Sequence, residues 1–223
     1  MEHRIIDRRL NLMRDKLLLL GGATETALRR AMQSLTTRDS KLAKQVLEED
    51  KIINQMELEI DRMSVEILAL QQPAAHDLRM VISVAKITPI LERIADHATN
   101  IADAALRIND EPELKEYLDL NTMAENATVM LRNALDAFTS EDAAFSREII
   151  EQDHIIDASY KRVFDDLVEM MTDNPSTTAA VAQLLFVAKH LERIGDYVKD
   201  ICELTVYMRE AVFIKHQNIR DEG

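Results

Sequence analysis

The sequence predicts an all-α fold of two tandem, pseudo-symmetric three-helix bundles, six long helices in all. Three observations carry this. Apolar residues recur at helical spacing nearly throughout, as in Met56, Ile60, Met63 and Ile67, or Ile94, Ala98, Ile101, Ala105 and Ile108. The 223 residues include only 4 Gly and 4 Pro, too few for the many turns of a β-rich fold. Segments of the first half also return in the second half at a nearly constant offset.

The elements follow in order from their breaks. The first helix ends at Thr36-Thr37-Arg38-Asp39, which also offers a cap for the second. Gly21-Gly22 lies inside this helix at a cost of about 1 kcal/mol per Gly against Ala, which points to a close helix crossing or a bend. Gln71-Gln72-Pro73 ends the second helix. Asn109-Asp110-Glu111-Pro112 ends the third and divides the chain into bundles at 1–111 and 112–223. Within the third, Pro89 should free the carbonyl of Ala85 and kink the helix one turn before Glu92. Thr139-Ser140 takes the capping role between the fourth and fifth helices, and Asp173-Asn174-Pro175-Ser176 ends the fifth.

The repeat ties the halves together. Ala27-Leu28-Arg29-Arg30-Ala31 matches Met130-Leu131-Arg132-Asn133-Ala134, and Asp39, Glu48, Asp50 and Ile52-Ile53 match Asp142, Glu151, Asp153 and Ile155-Ile156, all offset by 103. Leu91-Glu92-Arg93-Ile94 and Asp96 then match Leu191-Glu192-Arg193-Ile194 and Asp196, offset by 100. The change of three falls where Pro73 and Pro175 place a turn, where a length change costs little.

Composition narrows the function. The core must be aliphatic, since apolar residues are 47% but aromatics only 4% and Trp is absent. A net charge of -13 disfavours nucleic acid and anionic membrane surfaces, and suits cations or a basic partner surface. The charged N-terminal stretch does not read as a secretory signal, and no apolar run approaches the length of a membrane span. A single cysteine, Cys202, cannot form an internal disulfide, so the expected compartment is the cytoplasm.

The chemistry-bearing feature is the pair of acidic helices. At about 100° per residue, Glu92, Asp96, Asn100 and Asp103 share a stripe beside the apolar face of Leu91, Ile94, Ala95, Ala98, Ile101 and Ala102. Glu192, Asp196, Asp200 and Glu203 repeat it. The preceding helix carries Asp50, Asn54, Glu57 and Asp61 in the first copy; the second keeps Asp153 and Asp157 but has Tyr160 and Phe164 in place of the last two. Helices joined by a short turn are antiparallel neighbours, so these stripes either face each other or diverge. Facing acids need a compensating charge, from Arg or Lys or from a cation such as Mg²⁺, Mn²⁺, iron or zinc. The plainer reading is a solvated face neutralised by Arg93, Arg193, Arg79 or Lys86. Dinuclear iron chemistry needs two inward Glu-x-x-His motifs; the helical body has one, Glu151-Gln152-Asp153-His154, whose counterpart ends in Lys51. His190 reads as a packing or surface histidine. No nucleophile–base arrangement and no Gly-rich phosphate loop can be assembled.

The paired segments LERIADHATNIADAA and LERIGDYVKDICE, with VLEEDKIINQMELEID and His76-Asp77-Leu78-Arg79, resemble the PhoU family from Leu17 to about Tyr207. The resemblance implies two three-helix bundles. It also implies a non-enzymatic cytoplasmic regulator that links the phosphate ABC transporter, through its ATPase subunit, to a sensor histidine kinase and represses the phosphate-starvation response. It further implies multinuclear metal clusters on E/D-x-x-x-D pairs, here Glu92 and Asp96, Glu192 and Asp196, Asp153 and Asp157, and Glu57 and Asp61, and a homodimer. Asn54, Tyr160 and Phe164 depart from that ligand pattern. The alternative is a metal-binding or storage bundle with no signalling role.

Overall fold

The computed structural model describes residues 5–112 and 118–214. Among these residues are six α-helices: α1 (Ile5–Thr36), α2 (Ser40–Gln71), α3 (Ala75–Asn109), α4 (Leu118–Ser140), α5 (Ala143–Asp173) and α6 (Thr178–Glu210), with one 3-10 turn at Pro175–Thr177. The first four residues of the charged N-terminal stretch lie outside them.

The repeat extends to the turns. Arg38 and Glu141, which correspond at the offset of 103, both adopt the left-handed conformation, at φ 53 and 54. In each turn the next amide reaches back five residues, Asp39 to the Ser34 carbonyl and Asp142 to that of Ala137. The same aspartates then cap the following helix. Asp39 accepts from the Lys41 and Leu42 amides, and Asp142 from that of Phe145, taking up donors a helix start leaves unpaired. This corrects the role expected of Thr139 and Ser140. Their hydroxyls donate back to the Leu135 and Asp136 carbonyls inside α4, so neither is available as a cap.

Packing follows the apolar stripes. α1 and α3 of the first copy and α4 and α6 of the second form a four-helix centre, with α1 against α4 and α3 against α6; α2 lies on α1 and α3, and α5 on α4 and α6. One hydrophobic cluster runs through both copies, with Leu17, Leu28, Leu91 and Ile101 fully buried beside Leu131, Leu191 and Ile201. Gly21 is a close crossing, as its sequence context suggested. A Cβ there would stand 2.5 Å from Leu135 Cδ1 of α4. Gly22 faces open space. Pro89 lies inside α3, which continues to Asn109. Among the described residues no helix is long and apolar enough to cross a membrane.

Candidate functional site

The acidic stripes of neighbouring helices face each other in both copies. In the first, Asp50 and Glu57 of α2 look onto Glu92 and Asp96 of α3. Glu92 is close enough to feel the other three electrostatically, and Asp96 acts on Glu57 and feels Asp50. Burial, then Asp96, Glu57 and Asp50, push the Glu92 carboxyl upward, with Arg93 opposing. Burial, then Asp61 and Asp96, do the same at Glu57. At the more exposed Asp96, partial loss of solvent and then Asp50 raise the pKa, while a hydrogen bond with Glu92 works the other way. Like charges in reduced solvent favour the protonated form, which is the physical cause of all three shifts.

Two oxygens in this face have no partner although they are buried, Asp50 Oδ1 and Asn54 Oδ1; the remaining contact is Asn54 Nδ2 donating to Asp50 Oδ2 at 2.9 Å. Asp61 and Asn100 are exposed at its edge. Of the cations expected to neutralise these acids, Arg93 acts on Glu57 and Glu92, while Arg79 and Lys86 make their observed contacts elsewhere. Arg79 Nε donates to the Met208 carbonyl, and Lys86 Nζ lies over the Phe213 ring, 5.7 Å from its centroid.

The second copy places the same acids differently. Asp153 is only 5% exposed. Lys199 Nζ lies 2.5 Å from Asp153 Oδ2 and 2.9 Å from Asp196 Oδ1, joining α5 to α6. Burial works against the Lys199 ammonium, but its bonds to the two carboxylates outweigh it and raise the pKa. Lys189 Nζ lies 2.7 Å from Glu192 Oε2 and also 5.2 Å from the centroid of Tyr160, the residue at the position of Glu57. Asp153 Oδ1 and Glu192 Oε2 are nevertheless buried without a hydrogen-bond donor. Arg193 completes the set at 3.6 Å from Asp196. Asp157 is exposed and acts on Asp153 from a distance. Asp200 lines a separate groove of about 350 Å³ between α3 and α6, with Lys86, Arg93 and Phe213.

The structure therefore gathers Asp50, Glu57, Glu92 and Asp96 on one face and Asp153, Glu192 and Asp196 on the other. It leaves Asp61, Asn100, Asp157 and Asp200 at or beyond the margins. Among the described residues, no three His, Cys, Asp or Glu side chains stand close enough together to hold one ion as placed. The donors of the first face are nonetheless hard oxygens carrying excess negative charge with no lysine between them among the described residues, and Asp50 Oδ1 lacks a donor there as Asp153 Oδ1 and Glu192 Oε2 do on the second face. That donor set fits a hard divalent cation. Sequence reasoning missed Lys199. Its signal was the offset of 100, which sets Lys199 against Thr99 just as it sets Lys189 against Pro89.

The halves are matched to known proteins as well as to each other. The PhoU domain family matches residues 17–105 and again 120–205. The chain belongs to the PhoU family. A Pseudomonas putida PhoU homologue, a phosphate-specific transport system accessory protein, is 38% identical over 93% of this chain and 82% of its own length. The Escherichia coli K12 protein of the same name is 34% identical over 96% and 87%. The crystal structure of PhoU from Pseudomonas aeruginosa superposes with a TM-score of 0.89 at 37% identity, covering 92% of this chain and 99% of that one. That of the phosphate transport system regulatory protein PhoU from Streptococcus pneumoniae gives 0.88 at 31%, covering 94% and 99%. The all-α fold is thus shared with solved PhoU structures over nearly the whole chain.

Proposed function

We propose that this PhoU-family chain is a cytoplasmic, non-enzymatic regulator of phosphate uptake that docks on the phosphate ABC transporter through its ATPase subunit and on a sensor histidine kinase, and holds the phosphate-starvation response off when phosphate is plentiful. The observation that carries this is the double match to the PhoU domain, with relatives named as accessory and regulatory proteins of phosphate transport and near-complete structural coverage. Long helices whose outer faces mix charge with exposed apolar side chains such as Ile52, Val65 and Phe186 suit docking, because a partner can read a helix face without the bundle reorganising. The chain is taken to act as a homodimer, with bundles at 1–111 and 112–223.

The acidic face between α2 and α3 is its cation site, and side chains of Asp50, Glu57, Glu92 and Asp96 would have to draw together around the ion. A bound divalent ion (Mg²⁺, Mn²⁺, iron or zinc) would neutralise carboxylates that otherwise repel each other. It would change the charge that face offers a partner. Deleting the gene should switch phosphate-starvation genes on in phosphate-rich medium, and normal repression in the deletion strain would sink the proposal. Capture of the transporter ATPase and the kinase by the purified protein, with and without added divalent metal, tests the docking directly. Tightly bound metal with intact repression in the deletion strain would favour a storage role instead.

A further inference from the structure

Three differences between the copies fall on one spot. At the offset of 100, Lys199 replaces Thr99, Lys189 replaces Pro89 and Gly195 replaces Ala95. Each has a structural consequence. Gly195 lets Asp153 sit deep against α6, since a Cβ there would stand 2.9 Å from Asp153 Oδ1 and 3.2 Å from Ile156 Cδ1. Lys199 then reaches Asp153 and Asp196 together, at 2.5 and 2.9 Å. Lys189 meets Glu192 at 2.7 Å. An ammonium carries one positive charge and three donors, so it can bridge two carboxylates as a small cation does. In the first copy Thr99 and Pro89 bring no charge, and among the described residues no ion pair joins Glu57, Glu92 or Asp96 to a lysine or arginine.

We infer that the second copy carries its cation in its own sequence: the Lys199 ammonium between Asp153 and Asp196, backed by Lys189 on Glu192, takes the place of a metal ion, so divalent cations bind the α2–α3 face and not the α5–α6 face. The inference rests on the reading of the α2–α3 face as a cation site. The two faces that duplication made alike are then divided in role. One holds a lysine ammonium as its fixed cation, and the other has a charge that follows cation supply.

The test uses the full chain, stripped with chelator and titrated with Mn²⁺, free Mn²⁺ being counted by its electron paramagnetic resonance signal. Binding by the wild type should be lost in D96N and kept in D196N. K199T, which restores the residue of the first copy, should about double the Mn²⁺ bound at saturation, and the gain should vanish in K199T/D196N. K199R should behave as wild type. K199Q serves if K199T melts below the working temperature. Loss of wild-type binding in D196N, or no gain in either Lys199 variant that folds, overturns the inference. If the wild type binds nothing, the α2–α3 reading fails by itself, and the gain in K199T still decides the role of Lys199.

Discussion

His97 of α3 and His190 of α6 meet Nδ1 to Nδ1 at 2.8 Å, where the two copies pack together. Tyr197 stacks on His97, with ring centroids 5.6 Å apart. One imidazole must donate and the other accept, so the contact requires an accepting ring that is neutral. Burial, then the charges of His190 and Arg193, hold His97 down at about 4, and burial lowers His190 as well. The unfolded chain binds protons more readily, with a His pKa of roughly 6.5. The contribution of the pair is therefore complete above that value and is lost as pH falls through about 4. The thermal midpoint should fall from pH 7 to pH 5 more steeply in the wild type than in H97Q. Equal slopes would remove the pair as the cause.

The acids of the α2–α3 face should show the opposite sign. The Glu92 carboxyl is raised by burial and by Asp96, Glu57 and Asp50, so what its protonated form contributes is present at low pH and lost as pH rises through the folded-state value. Without divalent cations, E92Q should match the wild type near pH 4 and be more stable at pH 8, by a few tenths to about 1 kcal/mol. Melting both proteins at the two pH values in chelator checks this. A destabilised E92Q at pH 8 would mean that the like-charge account is wrong.

In the second copy the same kind of change should cost stability. D153A leaves Lys199 with one carboxylate partner where it had two, in a partly buried position. Removing a charged hydrogen-bond partner typically costs about 1–3 kcal/mol. Denaturant unfolding of D153A beside D50A should show the larger loss in D153A.

The two neighbouring glycines of α1 should respond differently to one substitution. G22A meets no atom within 4 Å and should gain about 1 kcal/mol of helix propensity. G21A gains the same propensity but drives its methyl into Leu135, which is itself buried. Thermal melts should show G22A above the wild type and G21A below G22A. A larger residue, as in G21L, should be destabilising by about 1–3 kcal/mol through overpacking.

The caps provide a local check. D39A and D142A each remove the acceptor for the first amides of a helix and should each cost about 1 kcal/mol. An S140A change should be close to neutral, because that hydroxyl only returns to carbonyls of its own helix.

The elements legible in the sequence were those decided within a turn or two of helix. The apolar stripe from Ile94 to Ile108 is buried in α3 as its spacing required. Gln71, Asn109 and Asp173 end their helices where the breaks fell. The acids Glu92 and Glu192 sit half-buried at the core edge, where the helical wheel put them. The role of Thr139 and Ser140 is not legible in the sequence, because a hydroxyl can serve a helix end or bond back into its own helix. The role of Lys199 is not legible either, because a lysine beside acids on one helix is common and its partner Asp153 lies on another.

By itself, the sequence determined the six-helix plan, the duplication and the position of each acid around its own helix, because these depend on spacing along one chain segment. Only the tertiary structure decided that α2 turns its acids toward α3, that Gly195 admits Asp153 deeply enough for Lys199 to hold it, and that His97 meets His190. Those outcomes depend on the rotation and separation of packed helices. Summed side-chain packing along their whole length sets both, and no single repeat unit records them.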